Sequence, residues 1–415
     1  MNRATFFFIV LLVSTSVLLL LPKQVSALQD SLLPPKAIVQ PADTMKTPAA
    51  GDAVELLIRW FKIDTSHKYR SERKVRFSLL PSAAAVPGGG AAVITTLNAA
   101  FYLGDRTKTN LSTADFTPVI TTTGKIMLSG KSTLWFRNNF ASIITELRYF
   151  KYPDYTWGIG GNTDEGNRSI MEFEYLRYYQ ALLKKVAGNT SLGVGYRFDK
   201  HYNIEEQLED STKTSNIAGY PYGTTSRSQS SGFTLQLLYD SRKNSINPPG
   251  GKYLSVVYRD NLGELGSDYE WQSIYADGRL YFPLNSGKRK LLAFRSYYWG
   301  ILNGEVPYLD LPANGWDLTA LSRGISRGRY KSSALLYGEG EYRFDLSQNG
   351  FWGGVAFVNC LGASDFEDKS SYHFHPAAGL GVRMKFNKYS HSNIALDFAF
   401  SKNFYGFYLN LAEAF

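Results

Sequence analysis

Beyond residue 70 the chain reads with a period of two. Phe233, Leu235, Leu237 and Tyr239 take turns with Thr234, Gln236, Leu238 and Asp240. Leu254, Val256 and Tyr258 alternate with Ser255, Val257 and Arg259. The same rhythm sets Leu192, Val194, Tyr196 and Phe198 against Gly193, Gly195, Arg197 and Asp199. It sets Leu380, Val382, Met384 and Phe386 against Gly381, Arg383 and Lys385, and Ile394, Leu396, Phe398 and Phe400 against Ala395, Asp397 and Ala399. Successive side chains of a strand face opposite sides, so each stretch is a ribbon with one apolar and one polar face. Helical spacing is scarce here. Before residue 70, Val54, Leu57, Ile58 and Phe61 recur at i, i+3, i+4, i+7. That segment fits a short amphipathic helix or a first strand equally well, and both readings stay open.

Two architectures use such ribbons. A soluble sandwich turns the apolar faces inward; a membrane barrel turns them out and keeps the polar faces around a lumen. Three features favour the barrel. The ribbons often run to ten residues or more, which suits a tilted bilayer crossing. Full charges stand in a row on the polar face, as in Glu339, Glu341, Arg343 and Asp345. Tyr and Trp gather near the ribbon ends, at Tyr152, Tyr155, Trp157, Tyr281-Phe282, Tyr297-Tyr298-Trp299 and Phe351-Trp352, as expected of rings at the two bilayer interfaces. Backbone N–H groups in lipid must all be paired, so the sheet must close. Strand starts fall near 74, 91, 111, 125 or 140, 168, 189, 231, 251, 269, 290, 331, 351, 376, 391 and 403, and an even total of sixteen is predicted. Lys200–Ser231 and Leu302–Ser322 are long and polar and read as extracellular loops; Asn244–Gly251 and Asn285–Lys288 read as periplasmic turns.

The start of the chain changes the picture from soluble to exported. Arg3 precedes an apolar run from Ala4 to Leu21, followed by Val25 and Ala27 at the small-residue positions of a cleavage site. Residues 1–27 are therefore expected to be a signal peptide. Residues 28–70, with Pro34, Pro35, Pro41 and Pro48, read as a periplasmic arm, and 71–415 as the barrel. Strand-like sequence continues through Phe404–Leu411 towards Phe415. Composition agrees. Hydrophobic residues make up 44% and aromatics 15%, too much for a disordered chain. A single cysteine, Cys360, excludes an internal disulfide or a CxxC zinc site. The net charge of +9 is modest, and the densest basic run, Lys288-Arg289-Lys290, is too short for a nucleic-acid patch.

Tyr239-Asp240-Ser241-Arg242-Lys243-Asn244 followed by Asn247-Pro248-Pro249-Gly250-Gly251-Lys252-Tyr253 resembles a hairpin of the outer-membrane assembly-factor superfamily (BamA/TamA-like, the bacterial surface antigen family). Leu321-Ser322-Arg323-Gly324-Ile325 is similar to that family's loop signature. Gly328-Arg329-Tyr330, Glu341-Tyr342-Arg343-Phe344, Ala356-Phe357-Val358-Asn359, Gly379-Leu380-Gly381-Val382-Arg383 and Leu396-Asp397 follow in the family's order. The resemblance is strong over 230–415 and looser over 70–230. It implies an all-β, sixteen-stranded antiparallel transmembrane barrel with a loop folded into the lumen. It also implies a role in inserting or translocating proteins or lipids through a lateral seam. Two departures stand out. The arm before the first strand is too short for a POTRA repeat, so the resemblance is to a POTRA-less member. Asn359 stands where the family usually has Asp.

The resemblance also implies a site: Arg323, Gly324 and Ile325 at the loop tip, with the arginine pinned to lumen carboxylates. By alternation Glu341 points into the lumen and is the best partner, with Asn359 as a neutral acceptor and Arg343 beside them. A guanidinium offers a planar fork of donors that a carboxylate accepts. Arg197, Glu339, Arg383 and Asp397 are further lumen charges, expected to form a wall network that hydrates the interior or sets ion selectivity.

Catalysis is not expected. Ser241 or Ser255 with a histidine is the only hydrolase candidate and no spacing singles one out; there is no G-x-S-x-G elbow. Gly130-Lys131-Ser132 ends like a phosphate loop, but Lys125 stands where its first glycine is required. His373 and His375 could pair on a metal, but more readily sit at a loop edge, so no metal or other cofactor is assigned. Outer-membrane lipids are the expected partners, with unfolded outer-membrane proteins or a periplasmic protein in place of the missing repeats; a homodimer stays open, and nucleic acid is excluded. The competing functions are a channel for small polar solutes and a purely structural envelope link.

Overall fold

The structure, a computed structural model, describes residues 52, 75–86, 90–209, 214–284, 289–315, 322–366, 368–387, 391–410 and 412–415. The signal peptide, the arm and the 54–61 segment lie outside the described residues, as does the turn at 285–288. The described chain is almost entirely strand: β1 Val75–Val86, β2 Gly90–Phe101, β3 Ser112–Thr121, β4 Ile126–Trp135, β5 Ala141–Lys151, β6 Asp154–Thr156, β7 Ser169–Ala187, β8 Thr190–Leu208 and β9 Ser226–Asp240. There follow β10 Gly251–Asn261, β11 Trp271–Pro283, β12 Lys290–Gly304, β13 Ala334–Asp345, β14 Trp352–Ser364, β15 Tyr372–Asn387, β16 Ser392–Ser401 and β17 Tyr405–Asn410. Helix among the described residues is limited to single 3-10 turns such as Tyr308–Asp310.

Every ladder is antiparallel and joins neighbours in sequence. The three residues of β6 continue β5 along the same partner, β7, after Tyr152-Pro153 interrupt the ladder. Seventeen segments thus fill sixteen strand positions, the number read from the sequence. With an even count the first and last strands meet the same end of the sheet, the end carrying short connections such as 188–189 and 346–351. At the opposite end Lys200–Ser231 is shorter as a loop than expected. β8 runs on to Leu208 and β9 begins at Ser226, because Tyr202, Ile204 and Ser226–Ser228 extend the ladder.

The polarity is inverted relative to a soluble protein. Val358, Leu380 and Phe407 are 65%, 65% and 70% exposed, whereas Arg343, Glu341 and Asp397 are 1%, 1% and 0% exposed. Only an apolar solvent outside and a polar interior make both placements favourable, so the sheet is a transmembrane barrel. Described residues of the loop between β12 and β13, 305–315 and 322–333, lie in its interior: Tyr308, Leu309, Leu311, Asn314 and Arg323 are all buried. They reach both walls. Tyr308 shares a hydrogen bond with Thr156 of β6 at 2.5 Å, and Ser230 of β9 donates to Asp310 at 2.6 Å. Asn359 of β14 and Tyr408 of β17 meet the same loop at its tip.

The aromatic belt read from the sequence needs correction. Tyr152, Trp157, Tyr281 and Tyr297 are buried, with Tyr297 packed in the lumen against Ile325 and Tyr337. Only part of the set, such as Phe282 and Trp352, stays on the outer face. Clustering at strand ends does not say which face a ring occupies. Phe415 is likewise off the sheet: β17 stops at Asn410, and Phe415 packs on Tyr281, Leu291 and Ala293.

Val358→Arg places a charge at mid-strand on the lipid face and should cost ~2–4 kcal/mol, whereas Leu346→Arg, beyond the end of β13, should cost ~0–1 kcal/mol. Reversible unfolding in phospholipid vesicles checks the difference. Equal costs would mean that the outer face does not look at lipid.

Candidate functional site

Five neighbouring strands, β13 to β17, build one wall of the site. On β13 the alternation turns Glu339, Glu341 and Arg343 to the lumen. The β13–β14 register sets Glu339 opposite Asn359 and Glu341 opposite Phe357. On β15 Arg383 faces inward, and the next registers set Asp397 of β16 opposite Gly381 and Tyr408 of β17 opposite Asp397. A Cβ on Gly381 would lie 1.9 Å from Asp397 Oδ1, so a glycine is required there for the carboxylate to reach its partners.

The loop delivers Arg323 into this wall. Gly324 follows with φ +85°, a backbone region that glycine occupies without strain, and a Cβ there would lie 2.8 Å from that of Ala377. Its N–H donates to Tyr408 Oη at 2.9 Å. Ile325 seats against Tyr297, Leu335, Tyr337 and Leu361. Arg323 Nε donates to Glu339 Oε1 at 3.1 Å, Nη2 to Glu341 Oε2 at 2.9 Å and Nη1 to Asp397 Oδ2 at 2.5 Å. Its guanidinium carbon sits 3.5 Å from the Phe357 ring centroid, a cation–π contact. The network extends outward. Arg383 binds Asp397 and donates from Nε to Glu413 Oε2 at 2.7 Å; Arg343 Nε donates to Glu341 Oε1 at 3.3 Å.

The structure thus brings Arg323, Gly324, Ile325, Glu339, Glu341, Arg343, Asn359, Arg383 and Asp397 together. Three placements differ from expectation. Glu339 and Asp397, expected only in a general wall network, contact Arg323 directly. Asn359 is not an acceptor for the guanidinium: its Nδ2 donates to the Arg323 backbone carbonyl at 2.9 Å. The short loop turn points its carbonyl, not its fork, at β14. Arg197 belongs to a separate cluster, over the Tyr179 ring at 4.5 Å, where Asp199 accepts from Arg177 at 3.1 Å and Arg259 at 2.6 Å. Sequence reasoning missed Phe357, Tyr408 and Glu413. The first two were findable, being in phase with Asn359 and one ladder step from Asp397; Glu413 lies beyond the last strand, where alternation has no hold.

The other chemical candidates resolve simply. His373 and His375 lie on β15, not at a loop edge. His373 Nε2 is 3.0 Å from Asp365 and His375 Nε2 is 3.0 Å from the Gly161 carbonyl, so the rings serve different partners. No group of three metal-binding side chains occurs among the described residues. Ser241 is tied to the Lys252 backbone. Buried His201 has Ser228 Oγ at 3.4 Å and Asp310 at 4.0 Å, both at Nδ1. A hydroxyl and a carboxylate on one ring nitrogen cannot form a relay.

No family model matches the chain, and no curated protein does. Solved structures do. The chain is similar to BamA from Haemophilus ducreyi lacking POTRA domains 1–3, with a TM-score of 0.50 at 15% identity, over 82% of this chain and 69% of that one. It is similar to CdiB from Escherichia coli, with a TM-score of 0.51 at 12% identity, over 82% of this chain and 61% of that one. CdiB from Acinetobacter baumannii gives 0.51 at 13% identity, over 82% and 60%. The chain therefore has the fold of these barrels and spans less than two thirds of the CdiB chains.

Arg323→Ala removes a donor from three buried carboxylates and leaves Glu339 without a cation among the described residues, and should cost about 3–5 kcal/mol, read as a lowered midpoint of thermal unfolding in detergent micelles. Arg323→Lys keeps the charge but not the fork and should fall between. Adding Glu339→Gln to Arg323→Ala should recover part of the loss; no recovery would mean that charge compensation is not what holds the tip.

Proposed function

We propose that the chain is an outer-membrane barrel that assists insertion or translocation of strand-forming proteins, or of lipids, through a seam between β1 and β17. The leader at 1–27 and the periplasmic arm at 28–70 belong to this reading. So does the sidedness, with the short turns in the periplasm. The observation that carries it is the last strand. β17 is six residues long, where its neighbour β16 has ten. Its continuation turns inward, with Glu413 held by Arg383, and among the described residues no ladder joins β17 to β1. An incompletely paired edge facing lipid is costly, and an incoming strand that pairs with it relieves the cost.

The motif resemblance to the assembly-factor superfamily and the fold shared with BamA and CdiB support this reading. The channel alternative is weakened by the interior, where residues 305–315, 322–333 and 412–415 place buried, hydrogen-bonded groups such as Tyr308, Asp310, Arg323 and Glu413. Free energy for the client comes from its own burial and ladder formation. A periplasmic partner is the natural source of client capture.

Reconstitution in liposomes tests the reading. The barrel should accelerate the folding of an added unfolded barrel client and show little steady conductance. A disulfide joining β1 to β17, engineered after Cys360→Ser, should abolish the acceleration until reduced. Selective steady conductance with no effect on folding would favour the channel.

A further inference from the structure

At the short-turn end of the barrel four connections adjoin one another: 102–111 after β2, 136–140 after β4, 188–189 after β7 and 241–250 after β9. The Asn110 N–H donates to Asn139 Oδ1 at 2.7 Å and the Asn138 N–H to Thr109 Oγ1 at 3.0 Å, which ties the first two together. The Lys185 N–H donates to the Phe140 carbonyl at 2.9 Å and the Asp240 N–H to the Asn189 carbonyl at 3.1 Å, which carries the rim on to β7 and β9. Arg106, Lys108, Arg137, Lys184 and Lys243 are exposed along it. Two acids stand near them. Asp105 is turned back on its own turn, accepting from the Thr107 N–H at 2.8 Å and its hydroxyl at 2.7 Å, and Asp240 is covered by Arg242 at 2.8 Å.

At the opposite end of the same part of the sheet the sign reverses. Glu165, Glu205, Glu209, Glu264, Asp268 and Glu270 are exposed there, and Arg168 is spent on Glu209 at 2.8 Å. A rim that only kept the protein wetted would mix both signs at both ends. Among the described residues none of the five short-turn cations forms an ion pair; Arg106 instead lies over the Tyr102 ring at 5.8 Å. Their setting is apolar on the outer face. Lys184 of β7 stands between Leu182 and Val186, which are 54% and 55% exposed, and pairs in register with Ala141, next to the exposed ring of Phe140. An ammonium flanked in this way on a lipid-facing strand extends past its apolar neighbours to the headgroup level.

We propose that this rim is a binding surface for anionic phospholipids of the leaflet that borders the short turns. Clustered cations at a leaflet surface attract anionic headgroups, over a distance set by the Debye length. Guanidinium and ammonium groups donate to the phosphate oxygens, while Leu182, Val186 and Phe140 lie among the acyl chains. A zwitterionic lipid offers the same phosphate, but its own cation competes with the rim. The inference rests on the barrel standing in a bilayer. It needs neither the seam nor the Arg323 tip, and under the sidedness proposed above the leaflet is the periplasmic one.

The full chain in detergent micelles, titrated with phosphatidylglycerol or with phosphatidylcholine of matched chains and read by native mass spectrometry, tests this. The parent should bind phosphatidylglycerol roughly tenfold more tightly, a ratio that a few cations at a surface supply. Replacing the five together, Arg106→Gln, Lys108→Gln, Arg137→Gln, Lys184→Gln and Lys243→Gln, should bring the ratio close to one with thermal unfolding unchanged. Raising the salt concentration on the parent should shrink the ratio in the same direction without any substitution. Lys369→Gln with Lys402→Gln removes two exposed cations at the long-loop end and should leave the ratio as it was. The proposal is overturned if the parent shows no preference, if the preference survives both the five substitutions and high salt, or if the long-loop pair abolishes it as well. Saturable capture of a poly-glutamate peptide by a parent without lipid preference would overturn it in favour of an acidic protein segment.

Discussion

A buried guanidinium is tolerable only where carboxylates surround it, and that constraint organises the interior. Arg323 is held by Glu339 and Glu341 from β13 and by Asp397 from β16. Acids from strands three positions apart converge on one loop side chain, so the contact fixes the curvature of the wall as well as the loop. In water each pair would contribute little. In the lumen, with the phenyl ring of Phe357 closing one face, the same contacts are screened less and losing a partner costs more.

The composition of the wall follows. Arg289, Arg323, Arg343 and Arg383 face Glu339, Glu341, Asp397 and Glu413, a balanced set, so another acid on β14 would have no cation to match it. Residue 359 moreover faces a backbone carbonyl, which needs a donor. Asn359 donates there; an ionised aspartate could only repel. The departure from the family pattern is therefore consistent with this geometry and does not loosen the loop. The glycines of β15 act the same way: at Gly379 and Gly381 a side chain would collide with Phe357 and Asp397.

The fold was largely legible because a barrel in lipid states its faces with period two. Leu380, Val382, Leu396 and Phe398 declared the outside, and Arg383 and Asp397 the inside, with no ambiguity of register. Segments where both faces are wet or both are packed were not legible. Tyr297 and Tyr281 look like belt residues but pack inside, because the loop and residues 412–415 turn part of the lumen into an apolar core. The ladder beyond Lys200 was read as loop because polar residues on both faces of an extension above the bilayer erase the alternation. At the site, alternation placed Glu341 in the lumen, but which of three acids takes which edge of Arg323 depends on loop geometry that no strand pattern encodes.

The clamp on Glu413 links the interior to the edge of the sheet. Arg383 binds Asp397 and Glu413 together, and Phe415 packs on Tyr281 and Leu291. Backbone groups of these residues are satisfied away from the sheet, the Glu413 N–H meeting the Ile246 carbonyl at 3.4 Å and the Phe415 carbonyl accepting from Arg343 at 3.0 Å. The same arginines that balance the loop tip therefore also hold residues 413–415 against the wall, so the charge balance of the lumen and the course of these residues rest on one set of contacts.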